Sequence, residues 1–287
     1  MTRWAVLFTI PSASCASDNL TVTAAVNDRG IVTLEIVAPY GCDDDTCIIY
    51  RSHVDINLLT SLDLNEMPIT KSFSHLREHR STVTDSMIAD NCTYYYYVKT
   101  NGRSGKSSCS PVCRVHVPDR LLPIGDTRRP SLFIDKVNYF IELRFNGIAV
   151  KRYPVSFGRL PRNRKLCYDQ RSTPEGVYHV EYRRPKATFY KALGVSYPNA
   201  TDYKRYREAV ASGGLAPYYG KLPSIGGSIQ IHGGGVDGNW TWGCIAMRNG
   251  DIDELFTVPT ITTGTPIYIV GVDVSRKDIA PYIHGTL

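Results

Sequence analysis

The chain has 287 residues, of which 43% are hydrophobic and 21% charged, with a net charge of +6. This balance excludes a disordered or fibrous chain and fits a globular protein long enough for two domains. No stretch after the N-terminus approaches the ~20 apolar residues of a membrane span. The charge is uneven: 19 Lys and Arg stand against 8 Asp and Glu between Arg120 and Val210. A solvated basic surface, or a face for an acidic polymer or anionic lipid, would produce that bias. No nucleic-acid module is visible, so nucleic acid is not expected as a partner.

The chain starts MTRWAVLFTIPSASCA, an arginine, a short apolar run and then small residues. That is the grammar of a secretory signal, expected over residues 1–17, with a first strand as the alternative. Cys15 offers a lipid-attachment alternative, but Ser12 stands where a lipobox wants leucine.

Residues 18–118 read as an all-β module, sandwich-like in its short strands and close turns. Leu20 to Val26 alternates, Asn27-Asp-Arg-Gly30 turns the chain, and Ile31 to Val37 alternates again. Cys47 to Arg51, Tyr94 to Lys99 and Val112 to Val117 are further strands, with Asn101-Gly102 a turn. The tyrosine run Tyr94 to Tyr97 then has two core and two surface rings. The stretch from Tyr94 to Pro118 is loosely similar to the last two strands of a fibronectin type III domain.

Eight cysteines suit an oxidising compartment. With Cys15 and Cys244 set aside, Cys42, Cys47, Cys92, Cys109, Cys113 and Cys167 are expected in disulfides of undetermined pairing. A zinc site from Cys42, Cys47, Cys109 and Cys113 is the rival, weakened by the lack of C-x2-C spacing.

Residues 119–130 read as a linker. A second domain follows over 131–272, with 273–287 left as a tail. Leu132 to Asp135, Tyr139 to Phe145 and Ala149 to Phe157 are strand-like, with Asn146-Gly147 as a hairpin turn. Val177 to Tyr182 alternates. Thr201 to Ser212 is the best helix, with Thr201 or Asp202 as N-cap and Gly213-Gly214 as the stop. A short helix is expected over Asp251 to Phe256. The fold class is thus mainly β, with one or two short helices in the second domain.

The chemistry concentrates in Ser228 to Asn249, SIQIHGGGVDGNWTWGCIAMRN. His232 ends a β-like run, a glycine-rich loop follows, and Cys244 lies twelve residues on. A free thiol near pKa ~8.5 is mostly protonated at neutral pH, and a neighbouring imidazole that takes the proton makes it a nucleophile. Gly243 allows close backbone approach, leaving the Cys244 N–H to hold an oxyanion. A buried structural thiol and a core histidine are the alternatives. HGGG also occurs in lipases, but no G-x-S-x-G elbow follows, and a phosphate loop would need G-K-[ST]. His179 and His284 are distant in sequence, so a metal at His232 is not expected. Trp240 and Trp242 flank the nucleophile and suggest a wall of a substrate groove, with a core role as the alternative. Arg248 offers a positive charge or a surface salt bridge, and Tyr197 precedes the loop as a candidate lid residue. Four N-x-[ST] sequons read as chance, since one, Asn239-Trp-Thr241, lies inside this site.

The run His232-Gly, loop, Thr241-x-Gly-Cys-Ile resembles the active site of YkuD-type L,D-transpeptidases. PVSFG at Pro154–Gly158, Thr173-Pro-Glu-Gly176, LGVSYPNATD at Leu193–Asp202 and GTPIYIV at Gly264–Val270 extend the resemblance over roughly residues 131–271. It implies acyl transfer on peptidoglycan stem peptides through a thioester on Cys244, without metal or cofactor. His232 would be the base and the Gly233 carbonyl would orient it. The amides of Gly243 and Cys244 would hold the oxyanion. It also implies a periplasmic or extracellular, wall-associated protein, with an amine or an acceptor protein as second substrate. The family's usual second histidine is Trp242 here, and its usual arginine or asparagine after the cysteine is Ala246, which leaves acceptor choice open. An L,D-carboxypeptidase and a non-catalytic wall-binding protein are the rival readings.

Overall fold

The computed structural model describes residues 20–38, 46–53, 69–74, 80–101, 107–122, 128–215, 217 and 220–283. The expected signal peptide with Cys15, and also Cys42, Gly102, residues 123–127 of the linker and His284, lie outside them. The chain divides into two compact units, Met1–Arg120 and Leu121–Leu287.

In the N-terminal unit, β1 (Thr21–Val26), β2 (Val32–Val37) and β5 (Arg80–Asp85) form one antiparallel sheet in the order β1-β2-β5. A second sheet runs β4 (Ile69–Ser74), β3 (Thr46–Ser52), β6 (Cys92–Asn101), β7 (Ser107–Cys109), with β8 (Cys113–Val117) also on β6. Alternation buries one face of each strand: Val22 and Ala24, then Val32, Leu34 and Ile36, then Tyr94, Tyr96 and Val98. The tyrosine run divides as its period predicts, with Tyr94 and Tyr96 buried and Tyr95 and Tyr97 partly exposed. Three strands, β4, β5 and β7, were not evident in the sequence. β5 reads RSTVTD and carries a single aliphatic side chain, Val83, while β4 lacks a sustained alternation.

A buried ion pair links the two sheets. Arg51 on β3 donates from Nη1 to Asp85 Oδ2 on β5 at 2.8 Å, and the Tyr96 hydroxyl reaches the same oxygen at 3.0 Å. The Met87 carbonyl accepts a second bond from Nη1. Burying a carboxylate is tolerable only when its oxygens are satisfied in this way.

Among the described residues no two of Cys47, Cys92, Cys109, Cys113, Cys167 and Cys244 are joined in a disulfide. The sheet register explains this for the strand cysteines. Cys47 stands opposite Thr100 and Phe73, Cys92 opposite Val117, Cys109 opposite Lys99 and Cys113 opposite Tyr96, so no two face each other.

The C-terminal unit is built on a sheet in the order β11 (Ile148–Pro154), β10 (Phe140–Phe145), β9 (Pro130–Asp135), β16 (Pro266–Val270), β12 (Gly176–Ala187), β13 (Tyr190–Val195), β14 (Gln230–His232), β15 (Ile245–Ala246). Its centre is buried on both faces, which is why β9 and β16 read as continuous apolar runs rather than alternations. The core joins Leu132, Ile134, Leu143, Val180, Leu193, Ile231, Ile245, Ile267 and Ile269 with Ile252 and Leu255 of a helix, α2.

Three helices lie among the described residues: α1 (Ala200–Ala211), α2 (Asn249–Thr257) and α3 (Arg276–Ile283). The cap of α1 is Asn199 rather than Thr201 or Asp202. Its side chain accepts from the Thr201 and Asp202 amides, and Asp202 returns a bond to the Asn199 amide. The segment expected as a tail carries α3, whose Ile279 is buried. Arg276 donates to Asp135 at 2.9 Å and stacks on Phe133, with 4.4 Å from guanidinium carbon to ring centroid. Helix α2 is pinned from three strands. Lys151 of β11 binds Glu254 at 2.7 Å, Lys191 of β13 binds Asp253 at 2.6 Å, and Arg183 of β12 donates to the Phe256 carbonyl at 3.1 Å.

Candidate active site

His232 is the last residue of β14, and Cys244 immediately precedes β15. These strands pair in parallel, with Ile231 opposite Ile245 and His232 opposite Ala246. Side chains alternate along a strand, so a cysteine two residues before Ala246 shares the face that carries His232. The loop between them is tied to its neighbours by backbone bonds. Gly235 donates to the Met247 carbonyl at 2.9 Å, Met247 to that of His232 at 2.8 Å, and Ser156 and Ala246 exchange bonds at 3.0 and 2.9 Å.

The tautomer of His232 follows from its partner. Nδ1 lies 2.6 Å from the Gly233 carbonyl oxygen, which can only accept, so Nδ1 carries the proton and Nε2 keeps a free lone pair. Burial pushes the imidazole below its ordinary value, opposed by the Gly233 bond. The ring stacks on Phe189 at 5.0 Å and meets the edge of Trp240 at 5.5 Å. Gly233 has no room for a side chain, since a Cβ would lie 2.5 Å from Asn249 Oδ1. That same oxygen accepts from the Gly234 amide at 2.9 Å, so Asn249 fixes the turn that orients the histidine.

Cys244 is partly exposed and its thiol donates to the Ser228 carbonyl at 3.7 Å. Burial raises its pKa, opposed by the Gln230 amide and by Lys165. Its backbone N–H has no acceptor among the described residues. The Gly243 N–H differs: it donates to Thr241 Oγ1 at 3.2 Å, and that hydroxyl donates in turn to the Cys244 carbonyl at 2.7 Å. Of the two expected oxyanion donors, only the Cys244 amide stands open. Gly243 itself is enforced twice, by φ +127° and by the Ser172 carbonyl, which would lie 2.6 Å from a Cβ.

The two tryptophans occupy different surroundings. Trp240 lines an open groove of ≈ 550 Å³ with Phe189, Gly234, Asp237 and Asn239. Trp242 is 47% exposed and packs with Tyr168 at 5.8 Å and under the Arg171 guanidinium at 4.3 Å. Arg248 is bound to Asp251 through two bonds, 2.7 and 3.2 Å, the salt-bridge arrangement of the two open to it. Tyr197 departs from the lid expectation. It is 5% exposed, belongs to the core, and gives its hydroxyl to the Ile225 carbonyl at 3.1 Å. Asn239, head of the sequon in this loop, accepts from the Phe157 amide at 3.0 Å and donates to Tyr139 at 2.9 Å. Phe189, Asn249 and Arg171 were not evident as site residues, because they stand 43, 17 and 61 positions from His232. Among the described residues no group of three or more His, Cys, Asp or Glu is placed to hold a metal ion.

Residues 129–269 match the L,D-transpeptidase catalytic domain family, YkuD. No curated protein matches the sequence. Among solved structures, an L,D-transpeptidase (residues 123–326) from Xylanimonas cellulosilytica DSM 15894 is 14% identical with a TM-score of 0.33, over 53% of this chain and 64% of that one. The chain thus spans a little under two thirds of that protein's length. An L,D-transpeptidase from Mycobacterium smegmatis is 10% identical with a TM-score of 0.32, over 93% and 100%. L,D-transpeptidase 1 of Mycobacterium tuberculosis is 12% identical with a TM-score of 0.30, over 89% and 100%. The assignment rests on the family match: residues 129–269 of this chain are a YkuD L,D-transpeptidase catalytic domain.

Proposed function

We propose that this domain transfers acyl groups on peptidoglycan stem peptides, with Cys244 as nucleophile and His232 as general base. The observation that carries the reading is the 2.6 Å contact between His232 Nδ1 and the Gly233 carbonyl. It leaves Nε2 unprotonated on the strand beside Cys244, which is what a thiol needs to become a thiolate. The thiol proton passes to Nε2 and the sulfur attacks the carbonyl carbon of the third, L-configured stem residue. The oxyanion is received by the Cys244 N–H. The C–N bond then breaks, Nε2 returns the proton to the departing D-amino acid amine, and a thioester remains. An acceptor amine gives its proton to His232 and displaces the sulfur, forming a new amide. Attack by water instead gives a carboxylate. The thiol must first turn from the Ser228 carbonyl toward the imidazole. The groove lined by Phe189 and Trp240 supplies apolar walls for the donor peptide. A wall substrate places the reaction outside the cytoplasmic membrane.

Intact-protein mass spectrometry after mixing with a tetrapeptide muropeptide tests this, with Cys244→Ala alongside. The expected result is an adduct equal to the donor minus its terminal residue, on the unsubstituted protein only. An added amine then separates transfer from hydrolysis. A folded protein with a free thiol, no adduct and no substrate loss would support a wall-binding protein instead.

A further inference from the structure

Three lysines of the C-terminal unit are almost wholly buried: Lys136 at 3% exposure, Lys151 at 4% and Lys165 at 2%. Two have carboxylates, Lys136 on Glu175 and Lys151 on Glu254, each at 2.7 Å. Lys165 has none within ion-pair reach among the described residues, and its Nζ makes one hydrogen bond, 3.2 Å to the Cys167 carbonyl. A buried ammonium without a paired anion is costly.

The segment that carries Lys165 packs against the nucleophile turn at both of its ends. A Cβ on Gly158 would stand 3.2 Å from the Gly243 Cα, and one on Gly243 would stand 2.6 Å from the Ser172 carbonyl. Lys165 is fixed within this segment by its own amide, which donates to the Thr173 carbonyl at 3.3 Å. Burial pulls the pKa of this ammonium down, and Cys167, Cys244 and the exposed Asp169 are the acids that oppose it. Cys167 is a buried thiol whose carbonyl is already the lysine's hydrogen-bond acceptor. Cys244 is the one partner that the reaction turns into an anion.

We infer that Lys165 is a positioning residue whose buried ammonium serves as counter-charge to the Cys244 thiolate. This rests on the reading of Cys244 as nucleophile. The resting thiol leaves the ammonium without a buried anion, since Asp169 is exposed to solvent. Loss of the proton to His232 creates one, and the two buried charges then offset each other's desolvation. The Gln230 amide, which also favours the charged sulfur, acts from the neighbouring strand. Lys165 thus lowers the cost of forming the nucleophile without touching substrate.

The test is alkylation of Cys244 by iodoacetamide against pH, read on the Cys244 peptide by mass spectrometry in the full-length chain. Lys165→Met is expected to move the midpoint up by about one pH unit, roughly tenfold less thiolate at neutral pH. Lys165→Arg is expected to retain most of the wild-type midpoint. Thermal stability of Lys165→Met is expected to hold or rise, since methionine fills the space without a buried charge. Should it fail to fold, Lys165→Gln is titrated in its place. An unchanged midpoint in a folded, charge-free variant overturns the proposal. The acyl-enzyme mass of the unsubstituted protein is read separately. An adduct without a midpoint shift removes only the role of Lys165, and a shift without an adduct removes only the nucleophile reading.

Discussion

At the scale of single residues, the site turns on where one proton sits. The Gly233 carbonyl accepts the Nδ1 hydrogen, so in the proposed mechanism the base function falls to Nε2. Burial keeps the ring below its ordinary value, near 6.5 in unfolded chains, so it stays neutral at pH 7. The acid limb of kcat/KM is therefore expected below pH ~6.5, measured on a tetrapeptide donor. A limb at or above that value would contradict the buried, neutral base. The same shift affects stability. Between the folded and unfolded values the unfolded chain binds a proton that the folded chain refuses, so stability falls as pH drops through that window. The Cys-His pair was legible because both residues carry their chemistry in a short segment. Lys165 was not: nothing in NRKLCYDQ separates a buried lysine from a surface one.

At the scale of elements, one ion pair holds the segments around the site. Lys136, just after β9, donates to Glu175 at 2.7 Å and to the Asn163 and Thr173 carbonyls at 2.8 and 2.9 Å. Glu175 in turn accepts from the Asp273 and Val274 amides, each at 3.0 Å, after β16. Gly271 is required by this hub, because a Cβ there would lie 2.1 Å from the same carboxylate. Lys136→Met leaves Glu175 charged, buried and without its cation. A loss of about 3–5 kcal/mol is expected, as for other broken buried pairs, checked by urea denaturation. The double variant Lys136→Met, Glu175→Gln should recover part of it. Alternation made β1 and β2 readable, the Asn146-Gly147 turn β10 and β11, and a continuous apolar run β9. The elements that escaped, β4, β5, β7, β13 and α3, have weak or mixed periodicity, and β4, β5 and β13 are held by pairing to strands distant in sequence.

At the scale of the whole molecule, the chain is two folding units with different polar cores. In the N-terminal unit Asp85 is the shared acceptor for Arg51 and Tyr96, joining one sheet to the other. Asp85→Ala strands the Arg51 guanidinium at 1% exposure. A loss of about 3–5 kcal/mol is expected, seen by calorimetry as a lower melting point for that unit. The cysteines also belong to this scale. Cysteine number suggested a disulfide framework, but pairing needs facing Cβ atoms, and the register of β3, β6, β7 and β8 sets each cysteine against another residue type.

The sequence by itself determined the β character of both units, the hairpin at Asn146-Gly147, the break near residue 120 and the short spacing of His232 and Cys244. All of these are local: period, turn residues and short spacings are written in consecutive letters. Tertiary structure alone decided that Gly243 spends its amide on Thr241, that Arg171 rather than Arg248 lies over Trp242, and that Tyr197 is core. It alone decided that Lys165 is buried with no carboxylate in ion-pair reach among the described residues. These depend on which distant segments share a neighbourhood, and burial and hydrogen-bond competition are properties of that neighbourhood rather than of any one stretch of chain.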